Sequence, residues 1–270
     1  MNFDEISRRG LVMLGCGKMG SAMLAGWLKG GLAPLAVHVI DPHPSDWLSA
    51  QGVGVNGPLP DDPAVLMVAV KPQMMEAALP QVAGFGGGGT LVLSVAAGTP
   101  IAAFEAAFGT GTRVVRSMPN TPAAVGKGIT AIVGNEAAGA HDLDMAEGLL
   151  SAIGQVVRLE SEEQIDAVTG VSGSGPAYVF YMIDALAAAG EAEGLPPDMA
   201  MQLAKATVAG AGALAEMAEE TPEQLRINVT SPNGTTQAGL GVLMNETSGL
   251  GPLMRATVKA ATDRSRELRG

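Results

Sequence analysis

The sequence is poor in the residues that usually announce their chemistry. It has one cysteine, Cys16, so an intramolecular disulfide framework is excluded. Its three histidines, His38, His43 and His141, are scattered, with no metal-ligand spacing between them, and no metal site is expected. Basic residues are scarce: 16 Lys and Arg stand against 27 Asp and Glu, a formal net charge of −11. That balance argues against a nucleic-acid or anionic-membrane surface, because either needs a basic patch that dominates long-range encounter. Long apolar runs are missing too. The stretches Ala64 to Val70 and Ala177 to Leu186 are short or interrupted by charge, below the ~18 residues that suggest a membrane span. Met1 to Gly10 carries Asp4, Glu5, Arg8 and Arg9 before a short apolar run ended by Gly15, so no signal peptide is expected. A reducing, cytoplasmic location fits the single thiol. What remains is a globular chain whose natural partners are small molecules.

Glycine and apolar residues are plentiful, 37 Gly and 47% hydrophobic residues in a chain of 270, enough core for one large or two moderate domains. Leu11 to Leu14 fits a short buried strand and leads into Gly15-Cys16-Gly17-Lys18-Met19-Gly20 and an apolar segment from Ser21 to Leu28. Strand, glycine turn and helix in that order form the dinucleotide fingerprint. The first glycine makes the turn, the second admits the pyrophosphate, and the third lets helix and strand pack closely. The helix N-terminus then faces the phosphates. Ala36 to Ile40 is a second strand, and Asp41 at its end lies about 20 residues beyond the turn, where a carboxylate binds ribose hydroxyls and repels a 2′-phosphate. Asp41 therefore leans the cofactor toward NADH over NADPH. Asp41-Pro42-His43-Pro44 is also good turn chemistry, and the spacing leaves both roles open.

Ala64 to Val70 is a third buried strand, ending at Lys71-Pro72. Ligands of open parallel sheets lie beyond the carboxyl ends of strands, which makes Val70, Lys71 and Pro72 cofactor candidates. Leu91 to Val95 and Arg113 to Arg116 are followed by loops carrying Ala97 and Asn120, two more candidates. Ile129 to Val133 and Gln155 to Leu159 complete the set. Strands alternating with helices predict a doubly wound α/β domain of Rossmann type over residues 1–165. Residues 166–270 read as helix almost throughout, after a Gly/Ser run from Val171 to Gly175 that Pro176 closes at a helix start. Within that half, Thr230-Ser231-Pro232-Asn233-Gly234-Thr235-Thr236 brings hydroxyls and free N–H groups to a helix start, a pattern that suits a carboxylate. It equally suits a helix cap without a ligand.

These motifs together resemble pyrroline-5-carboxylate reductase. The resemblance runs through Gly15 to Gly20, Val70-Lys71-Pro72, Arg116 to Pro122, Thr169 to Tyr178 and Val229 to Thr236, in that order and over nearly the whole chain. It implies a Rossmann domain followed by an all-helical domain that interlocks with a second subunit, with a ring of dimers in many members. It also implies reduction of a cyclic imine, L-1-pyrroline-5-carboxylate, to L-proline by NADPH or NADH. By resemblance, Thr236 would bond the ring nitrogen, Gly234 and Thr235 would offer N–H groups to the carboxylate, and Ser231 and Asn228 would support the loop.

The chain departs from the family at two positions. Asn233 stands where a glycine is usual, and asparagine is the residue most able after glycine to take a positive φ. Asp41 stands where many NADPH-using members present Ser, Thr or Arg. β-Hydroxyacid dehydrogenases have a similar layout but place a lysine on the first long helix of the second domain. Tyr178 to Ile183 contains none, and Lys205 falls on the next segment. A dinucleotide-binding module without turnover is the alternative of a different class.

Overall fold

A computed structural model describes residues 3–268. The chain divides into two compact units, one of residues up to Gly173 together with those from Thr262 on, the other Ser174–Ala261.

The first unit is built on an eight-stranded sheet: β1 (Leu11–Leu14), β2 (Val37–Ile40), β3 (Gly54–Val55), β4 (Val65–Val68), β5 (Leu91–Ser94), β6 (Arg113–Met118), β7 (Gly128–Gly134) and β8 (Gly154–Arg158). Their order is β3-β2-β1-β4-β5-β6-β7-β8. All neighbours are parallel except β6 and β7. That exception follows from chain length. Only a short segment with one helical turn, Thr121–Val125, joins β6 to β7, whereas a parallel partner needs a crossover of roughly a dozen residues or more. The sequence expects seven of these strands; β3 is the addition.

The helices around the sheet are α1 (Asp4–Arg9), α2 (Lys18–Lys29), α3 (Asp46–Ser49), α4 (Met75–Ala78), α5 (Ile101–Phe108), α6 (Ala140–Leu150) and α7 (Gln164–Val168). Alternate strand residues feed two cores. Leu11, Met13, Val65 and Met67 meet Met23, Leu24 and Trp27 of α2 on one face. Val12, Leu14, Leu66 and Val68 meet Phe104 and Phe108 of α5 on the other. Burial on both faces is why these parallel strands read as continuous apolar runs. The Trp27 indole N–H donates to the Leu149 carbonyl at 2.8 Å, tying α2 to α6. A π-helical turn, Thr169–Gly173, ends the main body of this unit.

The second unit contains α8 (Gly175–Ala192), α9 (Pro197–Met217), α10 (Pro222–Asn228), α11 (Thr235–Leu243) and the first part of α12 (Leu250–Glu267). Pro176, Pro197 and Pro222 each stand in the first turn of a helix, where the absent N–H costs nothing. Among the described residues its buried apolar side chains are only Ala187, Ala200 and Ala204, while Phe180, Tyr181 and Met217 stand exposed. No helix among the described residues is long and apolar enough to cross a membrane.

Candidate functional site

At the carboxyl end of β1 the chain turns at Gly15, whose φ of 85° lies in the region that side chains avoid. A Cβ there would also stand 2.8 Å from Val70 Cγ1, so the turn admits only glycine. Gly20 packs α2 against the turn, where a Cβ would come within 3.1 Å of the Gly15 carbonyl oxygen. Gly17 differs. It caps α2 with a φ of −71°, and a Cβ on it would meet nothing within 4 Å. The protein's own packing therefore does not require glycine at this position. A ligand that must approach the backbone there would require it, so the turn fits a pyrophosphate.

The cap supplies no side-chain acceptor to the first N–H groups of α2, and the first turn carries Lys18 and no acidic residue. A cation is unfavourable at the positive end of a helix unless an anion offsets it. Lys71, at the carboxyl edge of the neighbouring β4, is also exposed. Among the described residues neither lysine has an ion-pair partner, and both suit phosphate oxygens.

The cleft beyond the strands is lined by Gly15, Cys16, Gly17, Asp41, Val70 and Lys71, together with His43, Asn56, Met74 and Gln81. Asp41 has two backbone partners. Its Oδ2 accepts the Cys16 N–H at 2.8 Å and its Oδ1 accepts the His43 N–H at 2.8 Å. Turn-building and cleft-lining thus coincide in one carboxylate. Asn56, with a φ of 51°, fixes Asp41 from the far side. Its Oδ1 accepts the Asp41 N–H at 3.0 Å, and its Nδ2 donates to the Asp41 carbonyl at 2.8 Å. Sequence reasoning missed Asn56, and the turn dipeptide Asn56-Gly57 was the available signal.

The Cys16 side chain is buried, and this desolvation raises the thiol's pKa above its ordinary value; the Asp41 charge adds to the shift, and the Ser21 hydroxyl opposes it. The thiol therefore stays protonated near neutrality. Ser21 Oγ donates to the Cys16 carbonyl at 3.1 Å and braces the turn.

Other nominated residues sit around this cleft without lining it. Met19 is in the first turn of α2, and Pro72 opens the turn Pro72–Met74. Ala97 is exposed in the loop after β5. Asn120 is 9% exposed and its amide is already used: Nδ2 donates to the Ser172 carbonyl at 3.1 Å, and Oδ1 accepts the Ile129 N–H at 3.0 Å. In this geometry Asn120 braces the β6–β7 connection.

In the second unit, α10 and α11 are joined by a turn in which Asn233 has a φ of 60°. Asparagine thus takes the conformation expected of it. Gly234 is the N-cap of α11 and has no side chain to cap with, so the Thr235 and Thr236 hydroxyls fall in the first turn. Among the described residues the hydroxyls of Ser231, Thr235 and Thr236 hold no hydrogen bond. Capping is done instead by Gln237, whose Oε1 accepts the Asn233 N–H at 2.5 Å. The Gly234 N–H turns back to the Ser231 carbonyl at 3.0 Å, which corrects the expectation that it stands free. The free donors are the N–H groups of Thr235 and Thr236. Asn228 Oδ1, at the end of α10, accepts from Gln224 at 2.8 Å.

Known proteins resemble the chain over nearly its whole length. Residues 162–268 match the family model described as pyrroline-5-carboxylate reductase dimerisation. The chain is 37% identical over 264 residues to the pyrroline-5-carboxylate reductase of Pseudomonas aeruginosa, covering 96% of each. It is 46% identical over 204 residues to that of a Synechocystis strain, covering 76% of this chain and 74% of the relative. Among solved structures, a pyrroline-5-carboxylate reductase from Coxiella burnetii superposes with a TM-score of 0.91 at 32% identity, covering 97% of this chain and 99% of that one. The Plasmodium falciparum enzyme with NADP bound gives 0.82 at 25% identity, covering 98% and 99%.

Proposed function

The chain belongs to the pyrroline-5-carboxylate reductase family, and from that membership we infer how its own residues divide the work. The reaction is reduction of L-1-pyrroline-5-carboxylate to L-proline with NAD(P)H, a step of proline biosynthesis. The observation that carries the assignment of the cofactor cleft is Gly17, a glycine bordered by open space at a helix N-terminus.

The first unit holds the dinucleotide. The N–H groups at the start of α2 and the ammoniums of Lys18 and Lys71 take the pyrophosphate, and Asp41 takes the adenosine ribose. Each Asp41 oxygen accepts one backbone N–H and keeps acceptor capacity for a ribose hydroxyl. A carboxylate at that point disfavours a 2′-phosphate, which supports NADH as the better cofactor.

When bound, the reduced nicotinamide supplies a hydride to the imine carbon. The Thr236 hydroxyl bonds the ring nitrogen as the imine becomes an amine. The N–H groups of Thr235 and Thr236 hold the substrate carboxylate, and Ser231 lends its hydroxyl to the same loop. Gly234 contributes by its small size, since a Cβ there would stand 3.1 Å from the Ser231 carbonyl oxygen. Placement of the reacting groups supplies much of the rate, so no strong base is needed.

The helical half self-associates, as a dimer or a ring of dimers. A unit with only alanines among its buried apolar side chains leaves more apolar surface than it covers, which supports a second copy as its cover. A cytoplasmic location is supported by the single buried thiol. The test is imine-dependent oxidation of NADH and NADPH by the purified protein. Turnover with both and a higher kcat/KM for NADH is expected. Absence of turnover with either would overturn the reading.

A further inference from the structure

Arg116 is among the largest fully buried side chains of the first unit, at 2% exposure. It stands near the carboxyl end of β6, opposite Ser94 of β5 and Val133 of β7. Its Nη1 donates to Glu162 Oε1 at 2.5 Å, and Glu162, in the connection between β8 and α7, remains a quarter exposed. A buried ion pair is weak evidence for stability, because the desolvation of both charges offsets their attraction. What the pair holds is the more informative observation.

The same Glu162 oxygen accepts the N–H of Ile101 at 2.9 Å. Ile101 is the first residue of α5, so the carboxylate fixes the start of that helix at its favourable, positive end. The loop from Val95 to Pro100 ends there. Its other end is fixed too: Ser94 Oγ accepts the Ala96 N–H at 3.2 Å, and Ser117 Oγ donates to the Ser94 carbonyl at 2.7 Å. Within the loop Ala96 and Thr99 are buried, at 4% and 8% exposure, and Ala97 alone is exposed. The loop leaves the carboxyl end of β5, the edge on which the dinucleotide cleft opens.

We propose that Arg116 and Glu162 are positioning residues for the cofactor: together they hold the Val95–Pro100 loop so that Ala97, which does not line the cleft itself, presents its backbone to the bound dinucleotide where the cofactor extends past that lining. Arg116 fixes Glu162, Glu162 fixes the Ile101 N–H, and Ile101 fixes the loop. The inference rests on the cleft being a dinucleotide site, and it assigns a role to two residues of which neither touches the cofactor.

Glu162→Gln keeps an acceptor for Ile101 but leaves Arg116 without its counter-charge. Arg116→Met with Glu162→Gln replaces the pair by neutral side chains of similar size, a change that folds readily in other buried pairs, and this double variant is read if the single variant fails to fold. Two measurements are made on each folded variant. Amide hydrogen exchange of the Val95–Thr99 segment, with no cofactor added, should speed up roughly tenfold while exchange in β1 and β4 is unchanged. The dissociation constant of NADH, by fluorescence titration, should rise roughly tenfold, which is ~1.4 kcal/mol. KM for the imine should stay put. Restoring Glu162 in the double variant recovers the carboxylate charge at the start of α5 but not its Arg116 partner, and should restore only part of the affinity.

Loop exchange and NADH affinity both within about twofold of the parent in the double variant would overturn the proposal, and so would loosening of the loop with no change in affinity. Failure of the parent protein to bind either dinucleotide would instead sink the reading of the cleft, and the exchange measurement keeps the two failures apart.

Discussion

The Asp41 carboxylate accepts the backbone N–H of Cys16 at 2.8 Å, joining the end of β2 to the middle of the glycine turn. One residue therefore sets the shape of the glycine turn and the charge of the corner proposed for the ribose. A substitution at Asp41 has to be read through both effects, since the His43 N–H is held by the other oxygen.

For Asp41→Ser the charge effect favours NADPH. A 2′-phosphate brought within a few ångströms of a carboxylate costs roughly 1–4 kcal/mol between the dielectrics of water and a protein surface, and serine removes that cost. The turn effect weakens both cofactors, since a single hydroxyl oxygen has to replace two carboxylate oxygens. The expected outcome is a higher NADPH to NADH ratio of kcat/KM with a lower value for NADH itself. An unchanged ratio would mean that Asp41 serves the turn alone.

Gly15 and Gly17 should separate folding from binding. Gly15→Ala places a Cβ at a φ of 85° and 2.8 Å from Val70 Cγ1, which should cost ~2–4 kcal/mol of stability. Gly17→Ala meets open space at an ordinary φ, so its unfolding free energy measured in urea should move little, within ~1 kcal/mol. Its dinucleotide affinity should fall by tenfold or more, or ~1.4 kcal/mol, because the methyl group occupies the space left for the phosphates. Equal affinity in Gly17→Ala and the parent would place the pyrophosphate elsewhere.

The sequence made the strand, glycine turn and helix beside the cleft legible because they are local: a buried run, three glycines and a following helix occupy Leu11 to Lys29, and no distant contact is needed to see them. What was not legible depends on distant partners. The β3 pair Gly54–Val55 is too short to show a period of two, and its pairing with His38 and Val39 exists only in the fold. Asn56 became visible through hydrogen bonds to Asp41, 15 residues away. The Asn120 amide is committed to Ser172, 52 residues on, so its proline-flanked loop reads as a ligand loop while its side chain braces the backbone. In sequence the Thr235 and Thr236 hydroxyls suit a ligand or a helix cap; the cap is glycine, and only the helix start in the structure reveals it.

The Cys16 thiol ties stability to alkaline pH. Burial raises its pKa above the usual 9.0 in the folded protein, so the folded state keeps a proton that the unfolded chain releases first. The stabilising contribution is full below the unfolded value and is lost as pH rises toward and through the folded one. Stability measured in urea should therefore decline above about pH 9, and the decline should be shallower in Cys16→Ala. A thiol reagent should label native Cys16 slowly at neutral pH and quickly in denaturant. Rapid labelling of the native protein would contradict the burial.

Thr236→Val tests the catalytic assignment. The hydroxyl stands at the second position of α11 behind a glycine cap, and among the described residues it bonds nothing, so its loss removes no contact that holds the fold. Valine keeps the branched shape, and the melting temperature should stay within about a degree or two of the parent. Hydride arriving at the imine carbon leaves the π electron pair on the ring nitrogen, which takes one proton to become the amine, and a hydrogen bond to a group carrying that developing charge contributes ~1.5–3 kcal/mol. The expected loss in kcat/KM for the imine is therefore roughly 10- to 150-fold, with NADH affinity unchanged because the proposed dinucleotide site, Gly15 to Gly20 with Asp41 and Lys71, is left intact. A residue that only started the helix would give the opposite pattern, a lower melting temperature with intact turnover, and that result would remove Thr236 from the site.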